Sequence, residues 1–443
     1  MTTNLADLIR KARLAGQTSK AYNLASESNA LESSDGRLLL ECAEAAAGVS
    51  DLTGKIQYLT AALPLISGKP RRTALLKLLE AQRVTGNSGA AYQHAIRAER
   101  LYPDYVPVLR EVAKAYGASK HYLKSVKAWE AVVLHLGSST HEKDFAQLAQ
   151  AYDDACLIKE TIRVLRHGLL FHSSSSLLKM RLGEAQAKSK VKMEILAEGK
   201  NYNITSYQQK NGPSKVLFIT FGSISSGLKS VPFGFKFLID AGFDLVYVAQ
   251  EKHTLYQELS IDAFFQAVQP LIEQRQIFTY GSSLGGYAAL YFGGCIDAKT
   301  LVAGPVNYVD PAIRVPRWSR VAMQHIPPAQ AMKSKYSPVI FYDPLDDTRD
   351  EIYLKERILP SYPDALVFPL PGAGHQCFRA LLEHGILKHT VQSFVQGNIP
   401  NPTLQAFVRD RNKQSDALGS NAISWIQIFS KCFNYLFIGR KRV

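Results

Sequence analysis

The sequence lacks most features that mark disulfide-rich, metal-binding or membrane-spanning proteins. No uninterrupted apolar run reaches about 18 residues, so a conventional transmembrane helix is not expected. The cysteines form no CxxC pair and have no zinc-like spacing to histidine, and they lie far apart at Cys42, Cys156, Cys295, Cys377 and Cys432. We therefore expect no metal, no cofactor and a reduced, cytoplasmic setting.

The chain also lacks an apolar secretory core at its start, because Arg10, Lys11 and Arg13 interrupt the first apolar positions, which favours an amphipathic helix. Its 443 residues predict two domains. The net charge is +14, divided as +8 over residues 1–190, +1 over 191–400 and +5 over 401–443. A basic chain attracts nucleic acid or anionic membranes. Since the middle of the chain is nearly neutral, nucleic acid is not an expected partner.

Residues 73–175 have the composition and spacing of helices. Ala, Leu and Tyr recur at helical intervals, with few β-branched runs and little Gly or Pro. Similar residues also recur at longer intervals: Leu75 and Leu109 lie 34 positions apart, and Tyr116 and Tyr152 lie 36 apart. Such a period predicts an array of repeated helical units.

These positions resemble the tetratricopeptide repeat, a helix-turn-helix unit with small residues where its helices cross. The resemblance implies a helical solenoid over residues 1–190, whose concave groove binds a peptide or another protein. Lys120 stands where this family has its turn glycine, which predicts degenerate units. The alternative is that these helices only pack on the second domain.

After the lysine-rich stretch at 187–194, apolar strand-like runs alternate with amphipathic helices. The runs are KVLFITFGS (215–223), FDLVYVAQ (243–250), QIFTYGSS (276–283), KTLVAGPV (299–306), SPVIFYDP (337–344) and DALVFPLPG (364–372). Such alternation predicts a mostly parallel sheet covered by helices on both faces, with sites at the carboxyl ends of the strands. Residues 194–209 are expected to add an antiparallel hairpin at one edge.

The stretch YGSSLGGY, residues 280–287, connects one of these strands to a helix. It contains a G-x-S-x-G pattern from Gly281 to Gly285, centred on Ser283. A nucleophile elbow needs small residues two positions before and after the serine, because its tight turn brings those backbones together. We therefore predict that Ser283 is a nucleophile and that Ser282 only fills the strand side of the turn.

A serine nucleophile needs a base, and the base needs an orienting acid. His375 follows the last strand in the loop PGAGHQCF, at the same edge of the sheet as Ser283, while His253 is a weaker competitor. We expect the acid in the loop after strand 337–344. That loop carries four candidates: Asp343, Asp346, Asp347 and Asp350. Asp343 is close enough to the strand to cap the turn, so we prefer the loop apex, Asp346 or Asp347.

Residues from about 200 to 397 resemble an α/β-hydrolase domain. The chain order Ser283, then Asp346 or Asp347, then His375 matches the Ser, Asp/Glu, His order of that family. The resemblance implies that Ser283 attacks an acyl carbon, that His375 takes and later returns the proton, and that the aspartate holds the imidazole.

The same resemblance implies an oxyanion hole and a lid. Leu284 N–H would supply one oxyanion donor, and the loop at Gly222 and Ser223 would supply the second, although the usual His-Gly dipeptide is absent there. The segment 307–336, between two strands, corresponds to an insertion that commonly roofs the pocket in this fold.

Residues 401–443 form a basic tail. Segment 423–438 is predicted to be an amphipathic helix, with a narrow polar stripe on an otherwise apolar and aromatic surface. With Arg440, Lys441 and Arg442 beside it, this helix is expected to lie in the plane of an anionic membrane surface, at the inner face of the membrane. Docking on the repeats or on the hydrolase-like domain is the alternative.

Together these patterns predict a serine esterase or deacylase that acts through an acyl-serine intermediate and is recruited to its partner by helical repeats. The expected substrate is an acyl ester, with a glycan-linked ester as one case. An acyltransferase using the same residues is the nearest alternative, since only the acceptor differs. A catalytically inactive scaffold that binds other proteins is the second alternative.

Overall fold

Hydrophobic cores form separately in two parts of the chain, residues 1–189 and residues 190–443. The computed structural model describes residues 4–313, 315–346 and 348–398 of the protein. The predicted membrane-binding helix at 423–438 lies outside the described residues, as does Asp347.

Eleven α-helices occupy the described part of the first unit. They are α1 (Leu5–Leu14), α2 (Thr18–Ser26), α3 (Gly36–Gly48), α4 (Leu52–Ala62), α5 (Gly68–Val84), α6 (Ser88–Leu101), α7 (Val106–Ala118), α8 (Tyr122–Leu136), α9 (Glu142–Asp154), α10 (Ile158–Phe171) and α11 (Ser176–Ser189). Each helix packs on the next, and α1, α5 and α9 also contact α3, α7 and α11, respectively. Fully buried alanines such as Ala91 and Ala113 allow the close approach of the helices.

The turns between paired helices repeat with the same backbone conformation. Left-handed residues occur 34 or 36 positions apart, at Gly16, Ser50, Gly86, Lys120 and Cys156. At each turn, the following residue donates a backbone hydrogen bond to a carbonyl five positions earlier, as His121 does to Tyr116 over 2.9 Å. Lys120 therefore keeps the turn that glycine makes at Gly86, with φ of 62° and 74°. The prediction of tetratricopeptide-like helical repeats is confirmed, and the phasing extends back to the first helices.

Ion pairs connect neighbouring repeats at equivalent positions. Arg110 makes two hydrogen bonds to Asp144, of 2.9 and 2.7 Å, across 34 residues of sequence. Lys188 pairs with Asp153 at 2.6 Å, 35 residues away. Each of these ion pairs therefore joins one repeat to the next along the array.

The second unit is built on an eight-stranded mixed sheet. Its strands are β1 (Val191–Glu198), β2 (Tyr202–Gln209), β3 (Val216–Phe221), β4 (Asp244–Gln250), β5 (Gln276–Ser282), β6 (Lys299–Ala303), β7 (Val339–Tyr342) and β8 (Leu366–Pro369). The order is β1-β2-β4-β3-β5-β6-β7-β8, with β2 antiparallel to both of its neighbours and all other pairs parallel. The edge hairpin expected from residues 194–209 is present as β1 and β2.

Helices cover both faces of this sheet. The described part of the second unit contains α12 (Phe235–Asp240), α13 (Ile261–Ile272), α14 (Leu284–Gly293), α15 (Thr348–Tyr353), α16 (Cys377–Glu383) and α17 (Leu387–Val395). Phe264 of α13 and Phe292 of α14 pack beneath Phe221 on one face. On the other face, Phe378 of α16 packs against Tyr280. Because β3 lies between β4 and β5, successive crossovers leave it in opposite directions, and a crevice opens at its carboxyl end.

The segment 307–336 packs on the flank of α14. His325 is buried there, stacked on Tyr291 with ring centroids 4.3 Å apart. Its Nε2 lies 3.2 Å from the Leu259 carbonyl, which can only accept, so Nε2 carries the proton. Nδ1 then accepts the Tyr287 hydroxyl at 2.8 Å. The neutral imidazole thus attaches this segment to the helix that begins at Ser283.

Acidification is expected to loosen this attachment. Burial lowers the pKa of His325 from 6.5 to about 4, so between these values the unfolded chain binds a proton that the folded chain does not. The free energy of unfolding should therefore fall as pH drops from 6.5 to 4, by up to about 3 kcal/mol from this residue. Urea unfolding at a series of pH values in that range measures this free energy. Its slope against pH should be smaller in His325→Gln than in wild type, and unchanged in His389→Gln, whose substitution is at an exposed position. Equal pH slopes for wild type and His325→Gln would contradict the lowered pKa of His325.

Candidate active site

Ser283 occupies a strained turn between β5 and α14. Its φ of 58° and ψ of −127° lie in a region that residues with a side chain rarely adopt. Neighbouring strands and the helix hold this conformation: Ser283 N–H donates to the Ala303 carbonyl at 2.9 Å, and its own carbonyl accepts from Val306 at 3.2 Å. The hydroxyl reaches a surface cleft, although the residue is only 8% exposed.

The two glycines of the G-x-S-x-G pattern allow this turn for steric reasons. A Cβ on Gly281 would lie 2.3 Å from the Gly285 carbonyl oxygen, and a Cβ on Gly285 would lie 2.7 Å from the Phe221 carbonyl oxygen. Both obstacles are backbone atoms, which cannot move aside as a flexible side chain can. The sequence pattern therefore corresponds to real crowding on each side of Ser283.

His375 lies in the loop after β8 and lines the same cleft as Ser283. The loop that carries it is shaped by Gly372 and Gly374, which have φ values of 77° and 72°. Asp343 fixes the loop, because its Oδ2 accepts the Gly374 N–H at 2.7 Å while its Oδ1 accepts the Leu345 N–H at 2.9 Å. Asp343 is therefore a turn-capping residue that also braces the histidine loop.

The carboxylate that holds the imidazole is Asp350. Its Oδ2 accepts a hydrogen bond from His375 Nδ1. Asp350 is buried in the first turn of α15, whereas Asp346 is exposed in the preceding loop. This corrects the prediction of Asp346 as the orienting acid; Asp347 lies outside the described residues. The start of α15 turns the Asp350 side chain inward, and spacing along the loop gave no sign of it.

Tyr308 is a site residue that sequence reasoning missed. Its hydroxyl lies 3.3 Å from Ser283 Oγ and 3.4 Å from His375 Nε2. Because Nδ1–H is directed to Asp350, Nε2 of the neutral imidazole is an acceptor, so Tyr308 donates to it and accepts from Ser283. The resulting chain of hydrogen bonds links the serine to the histidine. The only sequence signal was the position of Tyr308 shortly after β6.

A cleft of about 350 Å³ opens above these residues. Its apolar walls come from Ile224, Val231, Phe233 and Phe378, and Ser223, Ser225, Ser226 and Tyr247 add hydroxyl groups. Of the predicted lid at 307–336, the described residue that lines the cleft is Tyr308, since the rest of the described segment lies toward α14. His253, the alternative base, packs near Trp318, with ring centroids 5.4 Å apart, and does not line the cleft.

The loop after β3 borders the cleft opposite Ser283. The Gly222 carbonyl lies 3.1 Å from the buried Tyr256 hydroxyl, and the Ser223 carbonyl accepts from Gln250 Nε2 at 3.2 Å. These bonds fix two successive peptide planes. Since the N–H of a trans peptide is directed opposite to its C=O, the Ser223 N–H is directed away from Tyr256. Leu284, the first residue of α14, lies at the positive end of that helix dipole.

Among the residues that the structure describes, no group of three or more His, Cys, Asp and Glu side chains is arranged to hold a metal ion. No helix among these described residues has the length and hydropathy needed to cross a membrane.

Comparisons with known proteins find structural neighbours for part of the chain. No protein-family profile matches the sequence, and no curated protein matches it. Similar solved structures include MamA (16% identity, TM-score 0.34, covering 38% of this chain and 90% of that one) and MamA 41-end from Desulfovibrio magneticus RS-1 (15%, 0.33, 40% and 99%). YrrB, a TPR protein with an unusual peptide-binding site, has 10% identity and a TM-score of 0.34, covering 40% of this chain and 89% of that one. At these TM-scores the neighbours carry no functional argument.

Proposed function

We propose that the second unit is a serine hydrolase of the α/β-hydrolase kind, an esterase or deacylase. The observation that supports this most strongly is the strained Ser283 turn facing the His375–Asp350 pair. Strained conformations at non-glycine residues persist where the surrounding structure enforces them, and they cluster at active sites. A turn without a catalytic task has no need to place a serine hydroxyl beside an oriented imidazole.

In the proposed reaction, Ser283 Oγ attacks the carbonyl carbon of an acyl ester. Its proton reaches His375 Nε2 through the Tyr308 hydroxyl, and Asp350 stabilises the imidazolium that forms. The tetrahedral intermediate collapses when the C–O bond to the alcohol breaks and the histidine returns the proton to that oxygen. Water then attacks the acyl-serine by the same route and releases the carboxylic acid.

Negative charge on the tetrahedral oxygen needs donors that are already in position. We assign one to the Leu284 N–H, at the start of α14. We assign the second to the loop at Gly222 and Ser223, where the Ser223 N–H is the better candidate because Tyr256 holds the preceding carbonyl on the opposite side. The buried Tyr256 hydroxyl thus orients this donor in a loop that lacks the usual His-Gly dipeptide.

A fluorophosphonate probe tests the proposed chemistry without knowledge of the substrate. Ser283 Oγ should displace fluoride from phosphorus, and the adduct should map to Ser283 and not to Ser282 in the same peptide. Ser283→Ala should remove labelling, and Ser282→Ala should retain it. A folded wild-type chain that takes up no probe would overturn the proposal.

The nearest alternative is acyl transfer, in which another alcohol replaces water at the acyl-serine. Product analysis with and without a sugar acceptor separates the two, because a transferase forms a new ester and releases less free acid. A glycan-linked ester is one substrate class to include in this comparison.

The second candidate function is a protein-binding scaffold. The observation that favours it is the helical-repeat unit itself, since each repeat of this kind contributes to an extended binding surface. We infer that this unit binds a peptide or protein whether or not the second unit is catalytic. Retained partner capture by Ser283→Ala, together with absence of labelling in the wild type, would identify the chain as a scaffold alone.

A further inference from the structure

The Tyr247 hydroxyl is a buried polar group that the proposed reaction leaves unused. Tyr247 lies on β4, is 2% exposed, and lines the same cleft as Ser283. Its hydroxyl makes no hydrogen bond of good geometry within the part of the chain that the structure describes, although Ser226 stands close enough to interact with it. Burying a hydroxyl without a partner is unfavourable, so such a group facing a cleft indicates a ligand that satisfies it.

A glycine leaves room for this hydroxyl beside the cleft. A Cβ on Gly222 would lie 2.7 Å from the Tyr247 hydroxyl oxygen and 2.7 Å from Ser226 Cβ, so glycine leaves the space that the phenol occupies. Burial raises the pKa of Tyr247 to about 12, with the nearby Ser226 hydroxyl opposing the shift. Tyr247 therefore stays a neutral phenol, able both to donate and to accept.

Further hydroxyls surround this end of the cleft. Ser223 Oγ lies 3.1 Å from Ser225 Oγ and 3.3 Å from Ser226 Oγ, which forms a cluster of three serines along the loop after β3. Apolar side chains, among them Val231 and Phe233, line the same cleft. A ligand in this cleft would therefore meet both hydroxyl groups and apolar side chains, the combination that suits a hydroxylated carbon skeleton.

The sheet register places this subsite relative to the nucleophile. Thr220 of β3 pairs with Tyr247 on one side and with Tyr280 on the other, so Tyr247 and Tyr280 share a face of the sheet two strands apart. Two strand spacings correspond to about 10 Å between their Cα atoms. The Tyr247 hydroxyl reaches the Gly222 backbone, so the subsite adjoins the loop that borders the cleft opposite Ser283.

We propose that Tyr247, with Ser226 beside it, forms a subsite that binds a hydroxyl group of the substrate, so that the preferred substrates are hydroxyl-bearing esters. This inference rests on the proposed hydrolase function. The hydroxyl can belong to the acyl part of the ester, as in a hydroxyacyl group, or to the alcohol part, as in an acylated sugar.

Two matched substrate pairs test the subsite and separate these sources. For the acyl part, p-nitrophenyl 3-hydroxybutyrate is compared with p-nitrophenyl butyrate. For the alcohol part, methyl 6-O-acetylglucoside is compared with cyclohexylmethyl acetate. One of the two pairs should respond, and it identifies the part of the ester that carries the bound hydroxyl. In that pair, Tyr247→Phe should lower kcat/KM for the hydroxylated ester at least about tenfold, equivalent to about 1.4 kcal/mol, and leave kcat/KM for the matched ester without the hydroxyl unchanged.

Tyr362→Phe provides the control. The Tyr362 hydroxyl is also buried but donates to the Leu290 carbonyl at 3.2 Å, away from the cleft. Its removal should lower the unfolding temperature without changing the substrate preference, whereas Tyr247→Phe should not lower the unfolding temperature, because no bond within the protein is lost.

The outcomes distinguish the subsite from the reaction. If wild type is labelled by the fluorophosphonate and Tyr247→Phe affects both members of each pair equally, or neither, the subsite is wrong and the hydrolase stands. If the folded wild type is neither labelled nor active on any of the four esters, the hydrolase proposal fails and the subsite with it.

Discussion

Replacing Asp350 with asparagine is expected to lower kcat for hydrolysis of p-nitrophenyl acetate by about four orders of magnitude, whereas Asp346→Asn should leave it within about twofold. The carboxylate at 350 accepts the Nδ1–H of His375 and so leaves Nε2 free of a proton. An asparagine amide can donate to Nδ1 and stabilise the opposite tautomer. Nε2 would then carry the proton and could not accept the one that leaves Ser283.

The two aspartates form a matched pair, because they lie four residues apart and the same chemical change is made in both. Asp346 is exposed, so its substitution is a control for surface charge. Thermal unfolding of both variants checks that loss of activity does not reflect loss of fold. A large loss in Asp346→Asn with retained activity in Asp350→Asn would reverse the assignment of the acid.

Gly285→Ala is expected to have the second largest effect, on both stability and labelling. The new Cβ would lie 2.7 Å from the Phe221 carbonyl oxygen and 3.1 Å from that of Gly222. Relief requires α14 to move away from the end of β3, which separates Leu284 and Ser283 from the loop opposite them. We expect the free energy of unfolding to fall by about 3 kcal/mol, with fluorophosphonate labelling of any folded fraction strongly reduced.

Gly89→Ala is the control for this substitution. Gly89 lies in α6, and a Cβ there would have no heavy atom within 4 Å. Alanine forms helix better than glycine, so this variant should be unchanged or more stable by up to about 1 kcal/mol and should label normally. Chemical denaturation and labelling of the two variants in parallel measure the contrast. Wild-type stability and labelling in Gly285→Ala would show that the turn is less crowded than its backbone distances indicate.

The helical repeats could be predicted because their signals are local and recur. Alanines at helix crossings and a period near 34 identified the units from residue 73 onward. The earlier units were not phased, because their turns lack a common residue: Gly16 and Ser50 share a left-handed backbone but no side-chain chemistry. The hydrogen bonds that close each helix, and not the residue at the turn, keep Lys120 and Cys156 in that conformation.

Some residues of the candidate site could likewise be predicted from the sequence, and others could not. Ser283 and its two glycines stand within five residues of sequence, so the pattern that crowds them is visible in the chain itself. The choice among four aspartates was not visible. It depends on where α15 begins and on how the loop at Asp343 is held to Gly374, 31 residues later.

The sequence by itself therefore determined the two kinds of architecture and the tight turn at Ser283, because helical and strand periods and tight turns depend on residues close together in the chain. Only the tertiary structure decided that Asp350 holds His375, 25 residues away. It alone placed the Tyr308 hydroxyl between Ser283 and the imidazole of His375, which follows Tyr308 by 67 residues. It also decided that Tyr247 lines the cleft while its hydroxyl makes no well-formed hydrogen bond within the described residues. These contacts depend on strand order and on the direction of each loop, which arise only when the whole sheet has packed.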